Sequence, residues 1–331
     1  MKAVIWTEYG PPEVLQLQEV KKPTPKDNEV LVKIHAASVS AGDCELRSLN
    51  TPWSISIPWR MLFGIRRPRG LRILGQEISG VVEAAGAKVT RIHIGDAVFA
   101  LMGLKLGGYA EYCCLAETGS ALRGRLTIKP ANISFEEAAA IPIGGLDAVH
   151  FLRRAQIQPG EQVLINGAGG SIGTFGVQLA RHMGAEVTAV DSTGKLEMLR
   201  LLGSERVIDY TAVDFTRTGE MYDVIFDVPG KASYPDCINA LKEGGRLLLS
   251  NPERSDLARG RKAQPASGKQ VITRAAEQNA EDLDYLRGLI EAGALKAVID
   301  RVYPLEQIVE AHRYVETGQK KGNVVVSIFR S

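Results

Sequence analysis

The stretch NGAGGSIG, residues 166–173, joins an apolar run, EQVLI, to a segment of helical pattern, SIGTFGVQLARHMG. Glycine permits a tight turn and a close approach of the backbone, and the free N–H groups at a helix start favour an anion. The turn therefore predicts a site for the pyrophosphate of a dinucleotide, although one residue is added relative to the strict G-x-G-x-x-G spacing. A glycine-rich turn without a ligand is the alternative. The candidate contacts are Gly167, Ala168, Gly169, Gly170, Ser171, Ile172 and Gly173.

An acid and a base follow at the end of the next apolar run, in VDSTGK, residues 190–195. Asp191 comes eighteen residues after Gly173, near the separation of the carboxylate that hydrogen-bonds the ribose 2′-hydroxyl of NAD. Lys195 suits a phosphate instead. A helix capped by Asp191 or Ser192, with Lys195 solvated, is the reading without a ligand. The residues by themselves leave the nucleotide's 2′ substituent open.

The composition is that of an ordinary globular protein. Hydrophobic residues make up 45% and charged residues 24% of the 331 residues, as in typical soluble domains. One hydrophobic core rarely supports so long a chain, so we predict two domains. The net charge of +2, from 40 basic and 38 acidic residues, argues against a nucleic acid or a membrane surface as a partner. The N-terminus, MKAVIWTEYG, lacks signal-peptide and transit-peptide features, so we expect a cytoplasmic protein.

Two kinds of pattern divide the chain. Up to about residue 130, short β-type runs such as KAVIW and GDAVFA are separated by Gly, Pro, Asp and Asn, which predicts a compact β domain. From about residue 134, apolar strands alternate with amphipathic helices, which predicts a doubly wound α/β domain with a parallel sheet. Ser134 and Glu137 form a capping box at its start. We expect the last strand, NVVVSI, to rejoin the first domain, so that residues 1–131 and 281–331 form one domain and residues 132–280 the other.

Residues 50–73, NTPWSISIPWRMLFGIRRPRGLR, show neither helical nor strand periodicity, and we predict a long loop. Aromatic residues of this segment would wall a flat apolar pocket: Trp53, Trp59 and Phe63. Its arginines would bind an anionic substrate or stay solvated, and we favour solvation: Arg60, Arg66, Arg67 and Arg69.

The whole chain resembles a known family. VLINGAGGSIGTFGVQLAR, together with VLVKIHAASVSAGD, LGQEISGVVEAAG and AAIPIGGLDA, is similar to the zinc-independent quinone-oxidoreductase branch of the medium-chain dehydrogenase/reductase superfamily. Within that branch, WRMLFGIRRPR and HRYVETGQKKGNVVV look closest to reticulon-interacting-type oxidoreductases. The resemblance implies a GroES-like catalytic domain and a Rossmann nucleotide-binding domain.

The resemblance also implies a cofactor. Relatives with such residues at Ser192, Thr193, Lys195 and Tyr210 bind the 2′-phosphate of NADPH, so we expect NADPH to be preferred, with NADH tolerated. Two strand-end residues complete the candidate cofactor contacts: Val228 and Ser250.

Zinc is not expected. The first two positions that bind the catalytic metal in zinc-dependent members are Ser40 and Gln76 here, and neither a hydroxyl nor an amide is a usual zinc ligand. Asp147 lies in the region of the third. The cysteines include no C-x-x-C and no structural four-Cys lobe: Cys44, Cys113, Cys114 and Cys237.

Without zinc, the resemblance implies hydride transfer from NADPH to a small-molecule acceptor, a quinone or a conjugated enone. By the same resemblance, Ser40 faces the nicotinamide and Asp147 lies beside it. The candidates for the proton donor are Ser40, Asp43, Asp147 and water. The alternatives are a cofactor-binding sensor or scaffold with little catalysis, and a zinc-type alcohol dehydrogenase.

KQVITRA, residues 269–275, reads as an edge strand of the Rossmann sheet. An unpaired edge invites pairing, and dimers of the superfamily extend this sheet, so we expect a homodimer.

Overall fold

The computed structural model describes residues 1–50, 53–69, 72–120, 124–251, 268–273 and 279–329, without the side chains of 53–55. Contacts divide the chain into two compact units. Unit 1 comprises Met1–Pro142, Asn279–Glu291 and Ala297–Ser331, and unit 2 comprises Ile143–Gln278 and Ala292–Lys296. None of the helices in the described part of the chain is both long and apolar enough to cross a bilayer.

Fifteen strands and nine α-helices occupy the described residues. The strands are β1 (Lys2–Trp6), β2 (Leu15–Glu19), β3 (Glu29–Val39), β4 (Glu77–Ala85), β5 (Ala97–Leu101), β6 (Tyr112–Ala116), β7 (Arg125–Ile128), β8 (Gln162–Asn166), β9 (Glu186–Asp191), β10 (Arg206–Asp209), β11 (Tyr222–Asp227), β12 (Leu241–Leu249), β13 (Gln270–Ile272), β14 (Ile299–Pro304) and β15 (Asn323–Ser327). The helices are α1 (Ala41–Ser48), α2 (Trp53–Phe63), α3 (Phe135–Ala139), α4 (Pro142–Ala155), α5 (Ser171–His182), α6 (Leu196–Leu201), α7 (Tyr234–Asn239), α8 (Ala280–Glu291) and α9 (Ile308–Glu316).

Unit 1 is built on a sheet in the order β14-β15-β3-β4-β5-β7, with β6 also paired to β3. The last strand, β15, pairs antiparallel with β3, which confirms the predicted return of the chain to its first half. Strand β3 pairs antiparallel with β4, with Ala37 opposite Ile78. Because β3 ends where β4 begins, Ser40 and Gln76 are brought to the same edge of this sheet.

Unit 2 has the predicted doubly wound fold, but it begins at Ile143 rather than at residue 132 and also includes Ala292–Lys296. Its six strands are all parallel, in the order β10-β9-β8-β11-β12-β13. The chain winds outward from β8 in one direction and from β11 in the other, so the strand order reverses between these two strands. Ligands of such sheets bind outside the carboxyl ends of the strands at this reversal, which is where the glycine turn after β8 lies.

The predicted capping box is confirmed. The Ser134 hydroxyl accepts from the Glu137 N–H, and the Glu137 carboxylate accepts from the Ser134 N–H. Two otherwise unpaired donors at the start of α3 are satisfied in this way.

The predicted long loop over residues 50–73 is wrong, since Trp53–Phe63 forms α2. Ser56 and Phe63 are buried seven residues apart, as one face of a helix requires. The opposite face carries Ile57, Met61 and Leu62, so the sequence lacks the apolar–polar contrast by which an amphipathic helix is recognised. The internal Pro58 also argued against a helix.

Candidate functional site

The glycine turn between β8 and α5 is held by backbone hydrogen bonds. The N–H groups of Gly167 and Ala168 both donate to Val190 O, at 3.0 and 3.1 Å, which fixes the turn to the end of β9. Gly167 has a φ of +75°, a conformation that favours glycine. At Gly173, a Cβ would lie 2.3 Å from Gly167 O, so α5 can pack against the turn only with glycine there.

The start of α5 offers donors to a ligand. The first helical bond runs from Thr174 N to Gly170 O at 3.0 Å, so the N–H groups of Ser171, Ile172 and Gly173 have no partner within the helix. Gly170 has an ordinary φ of −87°, and a Cβ there would meet only Gly167 O at 3.6 Å. Packing within the chain does not demand glycine at 170, so the space beside Gly170 is open to a ligand. The cradle fits a pyrophosphate.

Asp191 is buried beneath this turn. Its Oδ2 accepts from Gly169 N at 2.7 Å and its Oδ1 accepts from Ser192 N at 2.8 Å. Lys195 Nζ lies 3.2 Å from Asp191 Oδ1. A Cβ on Gly169 would lie 2.4 Å from Lys195 Cδ and 2.9 Å from Asp191 Oδ2. The lysine stem thus packs along the turn with its charge beside the carboxylate.

The reading of this stretch as a capped helix with a solvated lysine is wrong. Lys195 is buried, and Ser192, at the N-cap of a short 3₁₀ turn, makes no side-chain capping bond. Thr193 and Tyr210 lie exposed beside this pair. The Thr193 hydroxyl donates to Asp209, which aligns with Asp191 on the neighbouring strand. Hydrogen bonds from Thr193 and then Thr211 lower the pKa of Asp209.

Asp209 was missed by the sequence reasoning because it ends a strand outside the glycine motif. Its carboxylate adds negative charge next to the residues predicted to bind the 2′ substituent. Its one signal in the sequence is its place at the end of the apolar run RVIDY, since parallel strands end at the same edge of a sheet.

Val228 and Ser250, both predicted to contact the cofactor, lie close together just after the ends of the neighbouring strands β11 and β12. Val228 N donates to Asn166 O at 3.2 Å, and Ser250 Oγ donates to Val228 O at 3.2 Å. A Cβ on Gly167 would lie 2.7 Å from Pro229 Cδ, so the loop after β11 lies against the glycine turn.

A buried carboxylate missed by the sequence reasoning shapes this loop. Asp227 Oδ1 accepts from Asn166 Nδ2 at 2.9 Å, and its Oδ2 accepts from Ala232 N at 3.0 Å. Burial raises the pKa of Asp227, although these hydrogen bonds oppose the shift. Asp227 therefore links the carboxyl ends of β8 and β11 at the strand-order reversal.

In unit 1, Ser40 caps α1 and ends at the centre of a polar cluster. Its Oγ donates to Asp43 Oδ2 at 2.7 Å and accepts from Asp43 N at 3.0 Å and from Gln76 Nε2 at 3.3 Å. A hydroxyl has one donor and two acceptor positions. All three are engaged within the chain.

Asp43 is fully buried. Besides the Ser40 hydroxyl, it accepts from Ser40 N at 3.1 Å and from Gly75 N at 3.2 Å. Burial nevertheless raises its pKa above the usual range, with the Ser40 hydroxyl as the largest opposing influence. Burial also raises the pKa of neighbouring Tyr109, and the negative charge of Asp43 adds to that shift. Since Asp43 has no exposed surface of its own, it can act on a ligand only through the residues that contact it, such as Ser40.

A buried pair packs on the other side of Tyr109. Cys44 Sγ lies 3.3 Å from His312 Nδ1, and the His312 ring meets Tyr109 edge-on. Burial, and then the charge of Arg47, lowers the pKa of His312 to about 3, while burial raises the pKa of the Cys44 thiol. The pair is neutral near pH 7 and is part of the core.

The unit 1 cluster does not fit zinc. Gln76 and Ser40 bond to each other, and Glu77 is buried and accepts from the Ser38 hydroxyl. Among the described residues, no group of three or more His, Cys, Asp or Glu side chains is arranged to hold a metal ion. A hydroxyl, an amide and one carboxylate are not the nitrogen and sulfur set that zinc prefers.

Asp147 lies half-buried on α4, in unit 2. One turn earlier on this helix, a Cβ on Gly144 would lie 2.4 Å from Ser171 Oγ and 3.0 Å from Phe175 Cδ2. Helix α4 therefore packs closely against the start of α5. This places Asp147 on the element next to the predicted pyrophosphate cradle.

Known protein families match both the first and the last part of the chain. Residues 26–123 match the model for an alcohol dehydrogenase GroES-like domain, and residues 202–326 match a model described as zinc-binding dehydrogenase. The chain is 32% identical to 2-methylene-furan-3-one reductase from Solanum lycopersicum, over 98% of this chain and 79% of the relative. It is 31% identical to the chloroplastic NADPH-dependent alkenal/one oxidoreductase from Arabidopsis thaliana, with the same coverage of 98% and 79%.

Among solved structures, the quinone oxidoreductase from Coxiella burnetii is similar over 99% of both chains, with a TM-score of 0.86 and 28% identity. The likeness thus extends over both units, beyond the glycine turn alone. This chain is an oxidoreductase that belongs to the medium-chain dehydrogenase/reductase family.

Proposed function

We propose that this protein is a zinc-independent reductase that uses NADPH, and NADH less efficiently, to reduce conjugated enones or quinones. The observation that carries the proposal is that the same chain holds a dinucleotide cradle in unit 2 and, in unit 1, a polar cluster in which Ser40 and Gln76 stand where zinc-dependent relatives have metal ligands. The names of the enone- and quinone-reducing relatives support the choice of acceptor.

The cradle binds and orients the cofactor. The N–H groups at the start of α5 point their positive ends toward the pyrophosphate, and Lys195 supplies a positive charge for a 2′-phosphate. Asp191 already accepts two N–H groups, so its carboxylate is held within the chain rather than offered to a ribose hydroxyl. When bound, the reduced nicotinamide supplies a hydride.

The proton comes through Ser40 in this proposal. Because burial raises the pKa of Asp43, its protonated form is accessible at higher pH than for an exposed carboxyl. A protonated Asp43 donates to Ser40 Oγ along the contact of 2.7 Å and takes the place of the longer bond from Gln76 Nε2, at 3.3 Å, which frees the hydroxyl hydrogen of Ser40 for the acceptor. Asp147 on α4 and water are the competing donors.

Zinc has no role in this scheme. The family model that matches residues 202–326 is described as zinc-binding, yet the donor set around Ser40 offers no thiolate or imidazole positioned for the metal. Ser40 and Gln76 are already hydrogen-bonded within the chain, Ser40 to Asp43 and Gln76 to Ser40.

The test is oxidation of NADPH with an enone, a quinone or a saturated aldehyde, and reduction of NADP+ with a secondary alcohol, each before and after dialysis against a chelator. We expect turnover with the enone and the quinone, and no loss after chelation. Tight cofactor binding without turnover would favour a sensor or scaffold. Alcohol oxidation that a chelator abolishes would establish a zinc enzyme instead.

We also propose that the protein is a homodimer. Strand β13 pairs only with β12 among the described residues, so Gln270–Ile272 forms an edge of the sheet in unit 2. An exposed edge is a ready site for pairing with a second sheet. A monomer in dilute sedimentation-velocity measurements would contradict this.

A further inference from the structure

Helix α2 and the residues after it expose an apolar surface. Ile57, Met61, Leu62 and Ile65 point outward, and Met61 is 71% exposed. Four of the eleven large hydrophobic side chains exposed in the described part of the chain thus lie within nine residues. Single exposed hydrophobic residues are common, but a contiguous group marks an interaction site. We call these four side chains the α2 patch.

The opposite face of α2 fixes the orientation of the patch. Phe63 is buried, and Trp59 stacks on it with ring centroids 5.7 Å apart. The Arg60 guanidinium lies 4.5 Å from the centre of the Tyr9 ring, and Tyr9 Oη donates to Gly64 O at 2.6 Å. Rotating α2 so that the patch became buried would break these contacts. The contacts therefore keep the patch exposed.

The α2 patch is bordered by positive charge. Residues 46–76 contain six arginines and no lysine, aspartate or glutamate. Arg66, Arg67 and Arg69 are exposed directly after the helix, and the described residues provide no acidic partner for any of them. The chain as a whole is nearly neutral, at +2, so this charge is a local feature that the overall balance conceals.

We propose that the α2 patch and these three arginines dock the protein on an anionic lipid bilayer. A helix with exposed aliphatic side chains next to arginines can place its apolar face at the acyl boundary and its cations among anionic headgroups. At eleven residues, the helix is about 16 Å long, which suits the interface and is too short to span the bilayer.

A second copy of this chain fits the surface less well. A twofold contact through the patch would bring the same arginines of both copies together, and like charges repel. Protein interfaces are enriched in Met and Arg, which this surface has, but also in Tyr, Trp and Phe, and the α2 patch contains no aromatic side chain. The bilayer assignment does not depend on the proposed reductase activity.

The experiment is flotation of the full-length protein with vesicles of phosphatidylcholine alone or mixed with phosphatidylglycerol. We expect binding only to the mixed vesicles, and release at about 1 M salt because the Debye length falls to about 3 Å. Arg66→Gln with Arg67→Gln should weaken partitioning roughly 25-fold, at about fivefold per arginine. Met61→Ser with Leu62→Ser should weaken it at constant charge.

The matched controls are Leu201→Ser, whose side chain is 74% exposed on α6, and Arg217→Gln, an exposed arginine of unit 2. Both should float like the unaltered protein. All variants should keep their melting temperature and their turnover of a water-soluble acceptor. The proposal is overturned if the protein does not float with the mixed vesicles, or if the control variants lose as much binding as the patch variants. It is also overturned if the serine variants change the sedimentation coefficient but not flotation, because the patch would then bind a second copy of the chain.

Discussion

Lys195 is the residue on which the preference for NADPH depends. We choose Lys195→Met because the aliphatic stem packs along Gly169, where a Cβ would lie 2.4 Å from Lys195 Cδ. Methionine keeps that packing and removes the charge. Asp191 retains the N–H groups of Gly169 and Ser192, so the carboxylate stays hydrogen-bonded after the substitution.

The magnitude follows from the charge. Two unit charges about 4 Å apart interact by about 4 kcal/mol at an effective dielectric constant near 20. Asp191, 3.2 Å from Lys195 Nζ, cancels part of this attraction for a phosphate. A net value of about 1.5–3 kcal/mol, typical of a hydrogen bond to a charged group, corresponds to roughly a 10- to 100-fold loss in kcat/KM for NADPH.

The assay compares kcat/KM for NADPH and NADH with one enone acceptor in the unaltered protein and in Lys195→Met. NADH has no 2′-phosphate, so its value should stay within about threefold. Lys242→Gln is the matched control, since Lys242 pairs with Asp223 at 2.7 Å and Asp223 lies near the amino end of β11. This variant should change neither cofactor's value.

Equal efficiency with both cofactors, unchanged in Lys195→Met, would refute the reasoning. A parallel loss with NADPH and NADH would also refute it, because that would point to a distorted cradle. Losing the positive charge beside Asp191 should lower the free energy of unfolding of Lys195→Met by an amount on the order of 1–3 kcal/mol. The melting temperature then shows whether the variant is still folded at the temperature of the assay.

Three further predictions concern carboxylates and the buried histidine. Asp43→Asn should lower kcat by about 100-fold or more. In the unaltered protein, kcat should fall as the pH rises through the raised pKa of Asp43. A pH–rate profile that the substitution leaves unchanged would exclude proton transfer from Asp43 through Ser40. Asp209→Asn removes the negative charge of the carboxylate that Thr193 contacts. It should raise kcat/KM for NADPH roughly two- to fivefold, with no gain for NADH. An equal gain with both cofactors would contradict the placement of Asp209 beside the 2′-phosphate. Burial lowers the pKa of folded-state His312 to about 3, so its contribution to the free energy of unfolding is complete above the ordinary histidine pKa of about 6.5 and is lost as the pH falls toward about 3. Urea unfolding should therefore show a loss on the order of 3 kcal/mol from this group between about pH 7 and about pH 4. The loss should be smaller in His312→Gln.

Local chemistry explains what the sequence could predict. The glycine turn, the capping box at Ser134 and the alternation of strands with helices depend on neighbouring residues, and all three are present in the structure. The return of β15 to β3 was also foreseen, since a final apolar strand needs a sheet to complete its hydrogen bonds.

Tertiary contacts explain the rest. Helix α2 is apolar on both faces, so periodicity could not separate it from a loop. Asp209 and Asp227 reach their partners only through the pairing of parallel strands. Asp43 is buried where Gly75, just before β4, and Tyr109 lie against the start of α1. A polar residue in the first turn of a helix carries no sequence signal for such burial.

The central claim is direct hydride transfer to the conjugated acceptor without zinc. The most direct measurement uses NADPH that carries deuterium at the hydride-donating carbon, a conjugated enone, and mass spectrometry and NMR of the product. We predict one deuterium on the carbon β to the carbonyl, an intact carbonyl group and the same yield after dialysis against a chelator. Deuterium on the carbonyl carbon of an alcohol product, or a reaction that stops when metal is removed, would contradict the account.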